Sequence, residues 1–322
     1  MASSGKQVKN GKAFEYAIAR TYYDYISSMG IPVEWVESDA LRIAKSFYDT
    51  FQDSDKQRFD NAAYNTISSL VKIEPGLITP GKKDDVLKIA LNSDASGEVG
   101  DVRDVVFSHV NPSWEIGFSA KNNNDAVKHS RLGKDLDFGK VWLGYACSST
   151  YWNDIKPIFS LIESHIAQGY TWNDLGASKE KDIYLPILKA FRKELLRICS
   201  EYSDVPKKLI KYLIGTNPFY KIIKDDKHNM VVVKAFNIKG KLNKSYMGCK
   251  SAYRVPKINY PTRMVELEFK QNSNNTLNMI LDGGWEISFR IHSASRKVER
   301  SLKFDINLLG NPPILFTQYI FQ

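Results

Sequence analysis

The sequence predicts an α/β (α+β) protein with helices packed on a sheet, then a helical stretch and a β-rich C-terminal region. Three observations carry that prediction. Residues 11–72 hold three apolar patterns of helical period, residues 105–121 hold a period-two hairpin pattern, and beyond Phe219 short strand patterns take over. The expected division is a core over 1–150, a helical region over 151–223 and a β-rich region over 224–322.

Composition sets the outer limits. A hydrophobic share of 43% in 322 residues supports a buried core in one large or two smaller domains, so wholesale disorder is excluded. A net charge of +9 makes a polyanion a fitting partner. Cys147, Cys199 and Cys249 are odd in number and far apart, which argues for a reducing compartment and against a disulfide scaffold or a cysteine zinc cluster. No apolar run reaches spanning length and residues 1–10 lack a signal-peptide pattern, so a cytoplasmic protein without membrane contact is expected.

In chain order, Gly11 to Met29 repeats Phe14, Ala17, Ile18, Tyr22 and Tyr25 at helical steps. Glu15 lies beside that face in the first turn, where a carboxylate suits the helix dipole whether or not it has another task. Ser38 is expected to cap a second helix with Leu41, Ala44, Phe47, Tyr48 and Phe51 inward, and a third spans Asp55 to Lys72. Pro75-Gly76 and Pro80-Gly81 mark turns, and Asp85 to Leu91 alternates as the first strand of the sheet. The polar loop 92–100 contains Glu98, an acid within chain reach of a metal site.

The hairpin follows. Asp101 and Asp104 precede Val105-Val106-Phe107, Asn111-Pro112-Ser113 reads as a turn, and Trp114 to Lys121 reads as the second strand. Strand alternation puts Glu115, Gly117, Ser119 and Lys121 on one face and Trp114, Ile116, Phe118 and Ala120 on the other. Acids at one strand start with an acid and a lysine on the next point to metal-dependent phosphodiester chemistry. A divalent cation neutralises the anionic ester and activates water, while a lysine beside it steadies developing charge. A merely solvated strand face would carry the same residues.

After Lys121, the run Asn122-Asn123-Asn124 is expected to start a helix over Asp125 to Leu132, with Lys128, His129 and Arg131 close together. Val141 to Cys147 reads as a buried strand. Residues 151–223 keep helical spacing, with Pro186 and Pro206 as starts and Gly215 to Pro218 as a break. Strands are expected at 230–233, 264–269, 276–281 and 285–292, with Asp282-Gly283-Gly284 as a tight turn. On the last of these, Arg290 and His292 share a polar face. Such a face can enter a DNA groove, or the region can serve as a capping or dimerisation subdomain. Dinucleotide, P-loop, zinc-protease and serine-hydrolase motifs are all absent from the sequence.

Several blocks together resemble type II restriction endonucleases of the HaeIII type, within the PD-(D/E)xK nucleases. They are Asn10 to Glu15, Gly100 to Val105, Trp114 to Gly117, Lys128 to Leu132, Leu136 to Lys140, Ser288 to His292 and Ser301 to Asp305. The resemblance implies a nuclease core with a mixed sheet flanked by helices, and a C-terminal DNA-recognition region. It implies Mg²⁺ as cofactor, with Mn²⁺ as a substitute, held by Asp104, Glu115, Glu15 and Asp101, with Lys121 as the catalytic lysine. Ser119 stands where the superfamily places an acid, so Glu115 is the expected replacement, with Asp125 and Asp135 as substitutes. Expected DNA contacts are Asn122, Asn123, Lys128, His129, Arg131, Arg290, His292 and Lys303. The implied partners are double-stranded DNA, a second copy of the chain, and a cognate methyltransferase that protects host sites without a stable complex. Implied products are 5′-phosphate and 3′-hydroxyl ends, with GGCC as target. A non-cleaving DNA binder on the same fold and a structure-specific repair nuclease are the alternatives.

Overall fold

The computed structural model describes residues 2–93, 100–123, 125–293 and 295–321. The chain forms two compact units, each assembled from separate stretches. The first comprises residues 2–125, 215–258 and 314–322, the second residues 126–214 and 259–313. The three consecutive regions expected from the sequence cut across both.

The first unit begins with α1 (Ala2–Ser28), β1 (Val33–Trp35), α2 (Asp39–Asp49) and α3 (Asp53–Ile73). Then come β2 (Leu87–Leu91), β3 (Val105–His109) and β4 (Trp114–Asn122), and later β7 (Phe219–Asp225), β8 (Met230–Phe236) and β13 (Thr317–Phe321). These seven strands form one mixed sheet in the order β1-β2-β3-β4-β7-β8-β13. β1 pairs parallel to β2 and β4 parallel to β7, while the other neighbours run antiparallel. The predicted mixed sheet flanked by helices is therefore present. Phe14, Ala17, Ile18 and Tyr22 of α1 are buried with Ile116, Phe118 and Ala120 of β4, and Tyr22 packs edge-on against Phe118 at 5.3 Å. That apolar face leaves Ser119 and Lys121 on the opposite side of the strand.

Parallel neighbours need a long connection. Here the connection from β4 to β7 is the whole 126–214 stretch of the second unit, and the return from β8 to β13 contains its 259–313 stretch. The second unit holds α4 (Ser149–Ala167), α5 (Leu185–Glu201) and α6 (Val205–Ile214). Its sheet runs β5 (Ala126–Lys128), β12 (Ser301–Gly310), β11 (Glu286–His292), β10 (Thr276–Leu281) and β9 (Met264–Phe269), with β6 (Arg131–Gly133) also on β12. Phe289 and Phe304 meet Phe191 of α5 on its inner face.

Four expectations need correction. The helix predicted over Asp125–Leu132 is two short strands, because main-chain pairing with β12 overrides local preference. The strand predicted over Val141–Cys147 is a π-helical turn over Gly139–Leu143, closed by Gly144 at φ 76°. It buries Trp142 against Tyr212 and Phe191. The helical region expected to run to 223 ends at Ile214, and Phe219–Asp225 is a central strand buried over most of its length, Lys221 and Lys224 included. Short β1 precedes β2, so Asp85–Leu91 is not the first strand, and α1 extends back to Ala2.

The Ser38 cap is as expected, with its hydroxyl accepting from the Leu41 amide at 3.1 Å. Ser38→Ala should lower unfolding stability by about 1 kcal/mol in urea titrations, with an unchanged m-value.

Candidate active site

Asp104 stands one residue ahead of β3 and folds back onto β4. Its amide donates to the Phe118 carbonyl at 2.8 Å, and its Oδ2 accepts from the Ala120 amide at 2.7 Å and the Ser119 hydroxyl at 3.2 Å. Ser119, in the position of the superfamily acid, is thus a buried donor that orients Asp104. Lys121 brings its Nζ to 3.6 Å from the same oxygen, with 30% of its side chain exposed, so the pair is open to a substrate.

Glu15 completes the group from α1. It is 7% exposed and salt-bridged at 3.0 Å to Lys12, one turn earlier. Burial pushes its carboxyl up to about 8, and the charge of Asp104 adds to that, while Lys12 and Lys121 pull it back. Glu15 therefore lies within electrostatic reach of both Asp104 and Lys121. A buried carboxyl pushed up beside a second carboxylate and a lysine fits a hard divalent cation that takes few protein oxygens and keeps its waters.

Glu115 is not brought to this group. β4 keeps unbroken register with β3 from Phe118 back to Trp114 and with β7 from Phe118 on to Asn122. Without a bulge, six residues place the Glu115 and Lys121 Cα atoms about 20 Å apart. Glu115 instead receives Arg103 Nη1 at 2.5 Å. The Arg103 side chain crosses Gly117, where a Cβ would lie 2.2 Å from Arg103 Cδ, which explains the glycine there. Arg103 also grips Asp101 through Nε at 2.8 Å and Nη2 at 2.6 Å, and Asn217 adds a bond at 3.3 Å. Burial alone would raise the Asp101 carboxyl, but Arg103 holds it below its usual range. Asp101 and Glu115 are thus partners of Arg103.

The substitutes fare similarly. Asp125 bonds Lys221 and, at 2.6 Å, Lys234, and against burial these lysines hold its carboxyl low. Lys221 stands opposite Ser119 in the β4–β7 register, and burial brings its amine down to about 8. Asp135 is an exposed turn residue after β6, and Glu98 lies outside the described residues. Asn122 ends β4, and Asn123, at φ 55°, exchanges bonds with Asp226 at 2.6 and 2.8 Å.

In the second unit, pairing with β12 gathers distant blocks of sequence. Lys303 stands opposite both Arg131 and His292, and Asp305 opposite Arg290. Alternation puts these on one polar face with His129, whose Nδ1 is 3.6 Å from Asp305 Oδ1. Lys128 is the exception. Its ammonium lies 3.8 Å over the Tyr212 ring and donates to the Tyr212 carbonyl at 3.2 Å, which engages its charge against α6. Asp305 had no place among the expected site residues. The polar-apolar alternation over Ser301–Leu308 would have put it on the face of Lys303.

A strand-edge aspartate, a strand lysine and a helix glutamate on a mixed sheet form a group that could seat a divalent cation beside a phosphodiester. The HaeIII restriction endonuclease family model matches residues 11–312. The chain is 37% identical over 310 residues to the type II restriction enzyme HaeIII of Haemophilus aegyptius, covering 96% of each chain. No solved structure matches it. The chain belongs to the HaeIII restriction endonuclease family, and it is a site-specific deoxyribonuclease that acts on phosphodiester bonds of DNA. No described helix is long and apolar enough to cross a membrane.

The raised Glu15 carboxyl has a stability signature. Relative to the unfolded chain, its contribution is fully present below about 4.5 and is lost as pH rises through about 8. In metal-free buffer, Glu15→Gln should therefore raise Tm relative to the unsubstituted chain by an amount that grows between those pH values. A constant Tm difference across the range would show that Glu15 is not destabilised by burial beside Asp104.

Proposed function

We propose that the chain cuts double-stranded DNA with Mg²⁺, for which Mn²⁺ substitutes, through Asp104, Glu15 and Lys121. The observation that carries this reading is the placement of a buried glutamate within electrostatic reach of the one carboxylate that Lys121 and the Ser119 hydroxyl address. Asp104 and Glu15 would hold the ion, which when bound supplies charge neutralisation at the phosphate and a more acidic water. Asp104 is fixed by the Ala120 amide and Ser119, so its remaining oxygen is preoriented. Lys121 orients the attacking water and offsets charge on the phosphate oxygens. In-line attack leaves 5′-phosphate and 3′-hydroxyl ends.

The polar face of the second unit's sheet is proposed to read the target, with Arg131, Arg290 and Lys303 as the main cationic contacts. Arginine can bond a guanine edge in bidentate fashion, and lysine and arginine both neutralise phosphates. GGCC is the proposed target. A palindrome of this kind calls for a twofold pair of chains on DNA. A cognate methyltransferase acting independently would protect host sites, and both proteins would work in the cytoplasm.

Lys121→Ala should abolish cleavage while leaving site-specific DNA binding within a few-fold of normal, since the lysine serves the transition state more than the ground state. Near-normal single-turnover cutting by this variant would remove Lys121 from the mechanism. Among the acids, Glu15→Gln should lose Mg²⁺-dependent cleavage by at least about a hundredfold. Glu115→Ala and Asp125→Ala should act mainly through stability. Single-turnover rates across a Mg²⁺ titration distinguish them, and a dead but well-folded Glu115→Ala would reverse the assignment. Sequencing the ends of one plasmid digest tests GGCC and the end chemistry directly.

A further inference from the structure

The polar face of the second unit's sheet also gathers His129, His292 and Asp305, one donor atom from each lying within 4.8 Å of the others. They come from three places in the sequence: the β5–β6 connection, the end of β11 and the middle of β12. In this cluster His292 Nε2 and Asp305 Oδ1 are buried and make no hydrogen bond among the described residues, with His129 Nδ1 standing 3.6 Å from Asp305 Oδ1. Burying such acceptors without a partner costs roughly 1–3 kcal/mol each, so the arrangement calls for something to bind them. The remaining atoms are already engaged. His292 Nδ1 lies 3.2 Å from the Ser293 carbonyl, to which it can only donate, leaving a lone pair on Nε2. Asp305 Oδ2 accepts from Arg290 at 3.3 Å, which leaves Oδ1 for the cluster. An imidazole whose far nitrogen donates to a carbonyl is the usual state of a histidine that binds metal.

We propose that His129, His292 and Asp305 bind one transition-metal cation of the zinc type, which ties the β5–β6 segment to β11 and β12. Two imidazoles and one carboxylate suit Zn²⁺, Co²⁺ or Ni²⁺. Mg²⁺ and Ca²⁺ are disfavoured, because they need several oxygen ligands and the single carboxylate here is shared with Arg290, beside Lys303. With three protein ligands, the fourth position stays open on the polar face. The site is independent of the Asp104 group and does not rest on how that group cuts DNA.

The test uses the full chain stripped of metal with a chelator and dialysed. Zn²⁺ is titrated in competition with a chromophoric chelator, and Tm is followed with and without Zn²⁺. The unsubstituted chain should bind one tight equivalent and gain Tm, as linkage requires of a ligand that prefers the folded state. His129→Ala, His292→Ala and Asp305→Asn should weaken that equivalent by at least about tenfold and lose the Tm gain, whereas Asp104→Asn should keep both. If an alanine variant fails to fold, His129→Gln and His292→Gln take its place. Absence of a tight equivalent in the unsubstituted chain, or equal affinity in the His and Asp305 variants, overturns the proposal.

Discussion

The site depends on one electrostatic conflict: a glutamate buried on α1 within reach of the Asp104 carboxylate. Burial in a low-dielectric environment disfavours the charged form, and a neighbouring like charge disfavours it further. A fold selected for stability alone would place an apolar residue at Glu15, as it does at Phe14, Ala17 and Ile18. The aromatic contacts of Tyr22 with Phe107 and Phe118 hold α1 against the sheet despite this cost. The helix is therefore rigid where the acid needs to be, and the conflict is what a divalent cation would relieve.

The other acids of this region illustrate the opposite case. Asp101 and Glu115 share Arg103, and Asp125 is held between Lys221 and Lys234. Glu15 has a cation partner as well, Lys12 at 3.0 Å, but burial and the neighbouring Asp104 still push its carboxyl up to about 8, so it has more to gain from a metal than Asp101 or Asp125. Arg103 also determines the residue between Glu115 and Ser119 on β4, since only glycine at 117 lets its side chain lie flat.

Much of this was legible in the sequence. Period-two alternation over Trp114–Lys121 placed Ser119 and Lys121 opposite the core, and helical spacing found Phe14, Ala17, Ile18 and Tyr22. The Ser38 cap and the switch to strands in the C-terminal part could also be read locally. What could not be read depends on pairing between distant segments. Ala126–Lys128 and Arg131–Gly133 are strands because β12, some 170 residues later, supplies their hydrogen bonds. Nor could alternation alone reveal that β4 stays straight through Gly117, because a glycine in a strand signals a bulge as readily as a close approach by a side chain. Lys128 looked like a free phosphate ligand until α6 brought the Tyr212 ring beneath it.

Ser119 is the departure that gives the site its character. An acid there would stand opposite Lys221 and beside Asp104, adding negative charge next to the carboxylate that, with burial, already drives Glu15 towards its neutral form. A hydroxyl instead donates to Asp104 and leaves Lys221 to Asp125. The face then carries Lys121, Lys221 and Lys234 against Asp104 and Asp125, a balance that favours an incoming phosphate over a second carboxylate. Serine thus serves as an orienting donor, and in the proposed mechanism the helix glutamate would take the part of the missing acid.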